Sequence, residues 1–392
     1  MKINLKNGEF LFMSKEFPMN IFEIQDTLDR LKITDDKPIV EFSISEYDNM
    51  ELSYTLCRRA FSADIYRLNL FAERLENLDF SEMTAFKSLL IANPECSFED
   101  MLKMTYGLDS VMIYPCKNCC ELGETVIENE MIPEIESCSD EIMELIDREK
   151  VGQIMQTREG GVFIDGHYCV TSGYEPPDIN IEIGRPDNCF FRLLIAPIKA
   201  NDVPDYGSAQ WISLPFDNEN QDIDFWKMTC VKRESSLPSL SQNQMQKEKI
   251  YELNELARSL SELSYDDFVK LKAVMEAENI CEISDTLDCI GRLDEYQFDR
   301  RIFDQSDFGR AYLTKNLPAD FDSTILENAD LFDFGQEVLM HKHGEITSYG
   351  AVSGRGQELY SVLTAQSTQQ LDEEFEEDYV ENFEMEIGGL SL

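Results

Sequence analysis

Apolar residues along this chain recur mostly at helical spacing. Leu68, Phe71, Leu75 and Leu78 mark one helix starting near Tyr66; Leu253, Leu256, Leu260 and Leu263 mark another starting near Tyr251. A second helix restarts soon after each, at Asp79-Phe80-Ser81-Glu82 and at Ser264-Tyr265-Asp266-Asp267, where Ser264 and Asp267 have the spacing of a Ser-x-x-acid cap. Third helices are predicted around Phe98–Met104 and Ile283–Ile290, with a short extended piece at Ser110–Tyr114. Each series then continues as a helix, a Pro break, another helix and a Gly-bearing hairpin, at 161–170 and at 344–352. Ahead of the first series lie a helix at Ile21–Leu31 and an alternating strand at Lys37–Ile44. Ahead of the second lie strands at Phe190–Pro197 and Ala209–Leu214.

The two series are the same series twice. At an offset of about 185, Ile65, Tyr66, Leu68, Asn69, Ala72, Leu75 and Leu78 face identical residues from Ile250 to Leu263, and roughly 14 of about 49 positions coincide as far as Leu108-Asp109 and Leu293-Asp294. With small gaps, Gly123 faces Gly309, Pro133 faces Pro318 and Gly152-Gln153 faces Gly335-Gln336. The expected fold class is α+β, an elongated chain of two tandem copies. Each copy has a small α+β module (1–62; 188–240), a helical module (63–115; 250–300) and a helix/hairpin module (116–172; 301–365). The linker falls at 173–187, where Pro176-Pro177, Gly184 and Pro186 cluster; Ser235–Gln246 is a second soft stretch, and 366–392 is an acidic tail.

Charge changes the picture most. Against 34 Lys+Arg stand 77 Asp+Glu, a formal net charge of −43, which argues against direct nucleic-acid binding and against an anionic membrane surface. No apolar run approaches the roughly 20 residues that span a bilayer, and the N-terminus lacks a secretory pattern. Eleven cysteines read as reduced thiols, so the expected location is cytoplasmic. Cys116-Lys117-Asn118-Cys119-Cys120 holds a C-x-x-C but lacks a second ligand pair at zinc spacing; Cys138 and His167 are loose candidates, and His341 and His343 read as turn residues. Neither a phosphate loop nor a nucleophile elbow is present, so no metal, cofactor or enzymatic activity is expected.

The acidity itself points to a function. Duplex DNA carries one charge per roughly 1.7 Å, so this chain carries the phosphate charge of about 21 base pairs in a length of order 70 Å. Carboxylates at that density are drawn into a basic DNA-binding cleft by the field that steers DNA.

The stretch from Tyr251-Glu252-Leu253-Asn254-Glu255-Leu256 to Leu263 resembles the start of the central helical domain of the ArdA antirestriction proteins. Leu326-Glu327-Asn328 followed by Phe332-Asp333-Phe334-Gly335 resembles a late element of that family, with Gln336 and Glu337 where the family often has Arg and Asp. Phe17-Pro18 before the first helix and Ile44-Ser45-Glu46-Tyr47-Asp48 after the strand match its first domain in outline. The resemblance implies a non-catalytic DNA mimic carried by mobile elements, one that occupies the DNA groove of Type I restriction–modification enzymes. Relatives usually dimerise; two fused units imply that one chain supplies that length, as a monomer or a homodimer.

Two readings follow. In the first, the chain is an anti-defence inhibitor of a host restriction–modification or CRISPR-Cas DNA-binding protein. Its carboxylates would replace phosphates: Glu73, Glu76, Asp79 and Glu82 in the first copy, and Glu252, Glu255, Glu262, Asp266 and Asp267 in the second. In the second, it is an adaptor or inhibitor without mimicry. It would dock through the tail, where Asp372, Glu373, Glu374, Glu376, Glu377 and Asp378 interleave with Phe375, Tyr379 and Phe383.

Overall fold

The computed structural model describes residues 1–363 except 9–10, 35–37, 47–55, 57–58, 134–137, 140–141, 143–144, 178–188, 200–202, 217–227, 242–248, 322–323 and 325–328. The acidic tail therefore lies outside the described residues. Helices and antiparallel sheets alternate along the chain, an α+β fold. The chain divides into two units: Met1–Asn20 with Ile33–Arg185, and Ile21–Lys32 with Pro186–Leu392. The stretch 1–62, expected as one module, is thus divided, because its helix belongs to the second unit.

Unit 1 opens with strands β1 (Lys2–Asn7) and β2 (Leu11–Glu16), followed beyond the intervening helix by β3 (Ile39–Glu46) and β4 (Ala60–Asp64), paired in the order β2-β1-β3-β4. Alternation puts Ile3, Leu5, Val40, Phe42 and Ile44 inside. Helices α2 (Ile65–Asn77), α3 (Phe80–Ala92) and α4 (Phe98–Met104) follow. Phe71 packs against Phe86 and Phe98, and Phe98 meets Phe42 edge-on at 5.2 Å, joining helices to sheet. Next come β5 (Met112–Tyr114), α5 (Cys119–Glu128), α6 (Arg148–Glu159) and the hairpin β6 (Val162–Ile164) with β7 (His167–Val170), forming a sheet in the order β5-β7-β6. The proposed linker is not free at its start: the Tyr174 hydroxyl donates to the Tyr106 carbonyl at 3.0 Å.

Unit 2 contains α1 (Ile21–Arg30) and a sheet of β8 (Phe191–Pro197), β9 (Gln210–Leu214) and β10 (Met228–Ser235), ordered β10-β8-β9. Helices α7 (Ile250–Ser261), α8 (Tyr265–Ala277) and α9 (Ile283–Ile290) lie on one core with that sheet; Phe191, Leu193, Ile195, Leu256 and Leu271 are all fully buried in it. The soft stretch expected from Ser235 contributes Leu237 and Leu240 to the same core, because those two side chains turn inward after β10. Then β11 (Phe298–Asp299), α10 (Gln305–Asn316), α11 (Leu331–His341), β12 (Gly344–Thr347) and β13 (Gly350–Ser353) complete the unit, with sheet order β11-β13-β12.

The element order after the first sheet is the same in both units, and two devices recur at matched positions. The Asn69 side chain accepts from the Met19 amide (2.6 Å) and donates to its carbonyl (3.1 Å); the Asn254 side chain does the same for Phe216 (2.8 and 3.2 Å). Met19 and Phe216 each follow a cis X–Pro bond. Secondly, α5 crosses α6 at Gly123 and Gly152, and α10 crosses α11 at Gly309 and Gly335. A methyl on Gly152 would overlap the Cys119 carbonyl, and one on Gly335 the Gln305 carbonyl. Only glycine lets these backbones approach so closely.

Candidate functional site

Helix α2 places Glu73 and Glu76 on its solvent side because Leu68, Phe71, Ala72 and Leu75 take the core side. Helix α7 does the same for Glu252 and Glu255, opposite Leu253, Leu256 and Leu260, with Glu262 exposed at its end. Asp79 and Asp266 are exposed, and Glu82 and Asp267 partly so.

These nine acids divide by what they do locally. Asp79 and Glu82 form a capping box on α3, in which Asp79 accepts from the Glu82 amide at 2.8 Å and Glu82 accepts from the Asp79 amide at 3.0 Å. Asp267 accepts from the Ser264 hydroxyl at 2.7 Å, while that hydroxyl accepts from the Asp267 amide. The Asp79 and Glu82 carboxylates satisfy free N–H groups at the start of α3, the Ser264 hydroxyl does so for α8, and all three acids complement a helix dipole. Glu73 accepts from the Asn69 amide side chain at 2.9 Å. The remaining five, Glu76, Glu252, Glu255, Glu262 and Asp266, have no ion-pair partner among the described residues. All five residues are exposed to solvent. The six tail acids Asp372, Glu373, Glu374, Glu376, Glu377 and Asp378 lie outside the described residues.

Unit 2 also holds a charged cluster that sequence reasoning missed. Lys272 on α8 is 2% exposed, and its ammonium lies 2.8 Å from Asp29 and 3.5 Å from Asp26, both on α1. The Tyr349 hydroxyl donates to Asp26 at 2.6 Å, and the Tyr265 hydroxyl to Asp29 at 2.5 Å. Arg30 donates to Asp26, to the Ser348 hydroxyl and to Tyr349, at 2.6–2.8 Å. The Ser348 hydroxyl in turn reaches Glu276 at 2.6 Å. Burial alone would raise the Asp26 pKa; Lys272, Arg30 and the Tyr349 hydroxyl outweigh it and hold the carboxyl below its usual range. Tyr265 is pushed up to about 12 by burial and by the Asp29 charge, and Tyr349 is raised for the same two kinds of reason. Shifted groups of this kind can mark catalysis. Here both carboxylates already accept from several donors, and the arrangement holds a helix in place.

The cysteine motif is dispersed in its bonding. The Cys116 thiol lies 3.2 Å from the Thr125 hydroxyl, the Cys119 thiol donates to Gln156 at 3.6 Å, and Cys120 is exposed. No group of three or more His, Cys, Asp or Glu side chains among the described residues is placed to hold a metal ion. No described helix is long and apolar enough to cross a membrane. Compared with known proteins, the chain matches no protein-family model and no curated protein.

Proposed function

We propose that this protein is a non-catalytic acidic decoy that occupies the DNA-binding groove of a host defence protein, a restriction–modification enzyme or a CRISPR-Cas nuclease. The observation that carries the reading is the net charge of −43 together with exposed carboxylates on α2 and α7 that form no ion pair among the described residues, on helices that stand at matching positions in the two units. We read the recurring element order as a tandem duplication, so that one chain offers two copies of the acidic face. Helix caps fix the direction of Asp79, Glu82 and Asp267, which presents part of the charge without further loss of side-chain freedom.

The decoy binds by summing weak terms. An exposed ion pair contributes roughly 0.2–1 kcal/mol, so one reversed carboxylate weakens binding by about fivefold at most. Reversing Glu76, Glu252, Glu255, Glu262 and Asp266 together removes about 1–5 kcal/mol, a loss of up to several thousandfold. The test is capture of DNA-binding defence proteins from a lysate by tagged chain, with competing duplex DNA. Displacement by DNA and loss with the fivefold reversal support the decoy. A partner that DNA leaves in place overturns it.

A further inference from the structure

Lys342 closes the C-terminal end of α11, where its amide donates to the Val338 and Leu339 carbonyls at 3.1 and 3.0 Å. The residue is buried, at 6% exposure. A buried ammonium ordinarily sits against a carboxylate, as Lys272 does against Asp29. Lys342 forms no ion pair among the described residues; its ammonium has a single hydrogen-bond partner there, the Ser361 hydroxyl, at 2.6 Å. Burial lowers the Lys342 pKa, and the Glu358 charge only partly offsets it. Such a lysine becomes neutral at lower pH than an exposed one, and its lone pair can then take the proton of the hydroxyl it touches. The position does not require a lysine. In the register that faces Gly152 with Gly335, its counterpart in unit 1 is Glu159 on α6, which keeps one carboxylate oxygen buried and unpartnered. The Lys–Ser pair therefore belongs to unit 2 alone.

The serine is held in place from both sides. Asn316 on α10 donates to the Tyr360 carbonyl at 3.1 Å, and Tyr312 donates to the Ser361 carbonyl at 3.1 Å while accepting from the Leu363 amide at 3.2 Å. The other contact of the Ser361 hydroxyl is a long one, 3.4 Å to the Glu358 carbonyl. Ser361 is half-buried and the next residue, Val362, is 67% exposed, so a small electrophile can approach Oγ from solvent. The Val362 amide makes no hydrogen bond among the described residues. In acyl-transfer sites the amide that follows the nucleophile is a common donor to the oxyanion. A serine touching a lysine with a lowered pKa is one of the arrangements that activate a hydroxyl.

We propose that Ser361 is a modification site, a nucleophile activated by Lys342 that takes an acyl group from an activated carboxylic ester. Ser361 Oγ attacks the carbonyl carbon while its proton passes to the neutral Lys342 amine. The bond from that carbon to the departing oxygen then breaks, and Lys342 gives the proton to that oxygen. An ester on Ser361 and a free alcohol result, with nothing oxidised or reduced. The acyl group stays on Ser361, so the step occurs once per chain and adds no turnover. The pair lies apart from the acids of α2 and α7, and the inference stands whether or not the decoy reading does.

The test treats the full chain with p-nitrophenyl acetate and maps acetyl groups by peptide mass spectrometry over time. Ser361 in the folded chain is expected to be acetylated about a hundredfold faster than Ser361 in the chain unfolded in urea. Lys342→Arg keeps the positive charge and does not give up its proton, so acetylation at Ser361 is expected to fall about as far, with folding checked by circular dichroism. The comparison of folded with unfolded wild type needs no variant to fold. A folded chain no faster at Ser361 than the unfolded one, or a folded Lys342→Arg variant as fast as wild type, overturns the proposal and leaves the serine as an acceptor that only satisfies a buried lysine.

Discussion

Lys87 and Lys272 occupy matched positions and solve the same problem in two ways. Each is a nearly buried ammonium, at 7% and 2% exposure, and each requires a carboxylate. Lys87 finds Asp165 at 2.6 Å in the hairpin turn of its own unit. The corresponding turn of unit 2 carries Ser348 and Tyr349 instead, and the acids come from α1. Lys272→Met leaves Asp26 with Arg30 alone and Asp29 with only the more distant Arg300, at 3.9 Å, and is expected to cost about 3–5 kcal/mol in urea unfolding. The cost depends on pH with a definite sign. The wild type holds the depressed Asp26 in its charged form, a contribution present above the ordinary carboxylate pKa and lost as pH falls through the lowered one. In the variant Asp26 keeps only one of the two cations that lower its pKa, so the variant's deficit shrinks between pH 7 and pH 4; a deficit constant over that range contradicts the account. The matched lysines were legible in the repeat. Their partners were not, since Lys272 and Asp29 lie 243 residues apart and no local pattern joins them.

At the scale of elements, the glycine crossings stand at matched positions in the two units. Aligning Gly123 with Gly309 and Gly152 with Gly335 used sequence alone, and the structure gives both pairs the same task of bringing two helix backbones together. Alanine at Gly152 or Gly335 sets a methyl into a carbonyl oxygen of the facing helix, so the helices must separate. Each substitution is expected to destabilise by about 1–3 kcal/mol, read as a lower melting temperature, whereas Gly8→Ala, where nothing lies within 4 Å, is expected to act only through its positive φ. The helices were legible because their periodicity is local. Strands β1, β2, β4 and β10 were not: Lys2–Asn7 mixes Lys and Asn among its apolar positions, and its place is set by pairing with Leu11–Glu16 and Ile39–Glu46. The exposure of Glu73, Glu76, Glu252 and Glu255 follows from the same local periodicity, while the engagement of Glu73 with Asn69 needed coordinates.

For the whole molecule, a net charge of −43 opposes compaction. Raising ionic strength shortens the screening length from about 30 Å at 0.01 M to about 10 Å at 0.1 M. The melting temperature is therefore expected to rise with sodium chloride over that range, while binding to any basic cleft weakens; a melting temperature that falls instead would place the stabilising ion pairs above the repulsion. The position of α1 has a further consequence, for synthesis. The helix leaves the ribosome 319 residues before Tyr349, the hydroxyl to which Arg30 donates. At about 5–20 residues per second, that is a wait of roughly 16–64 s. During it the strands on either side of α1 in sequence can already pair, while Asp26 and Asp29 stay hydrated. Translation speed downstream of α1 thus sets how long a nascent chain carries an unseated helix.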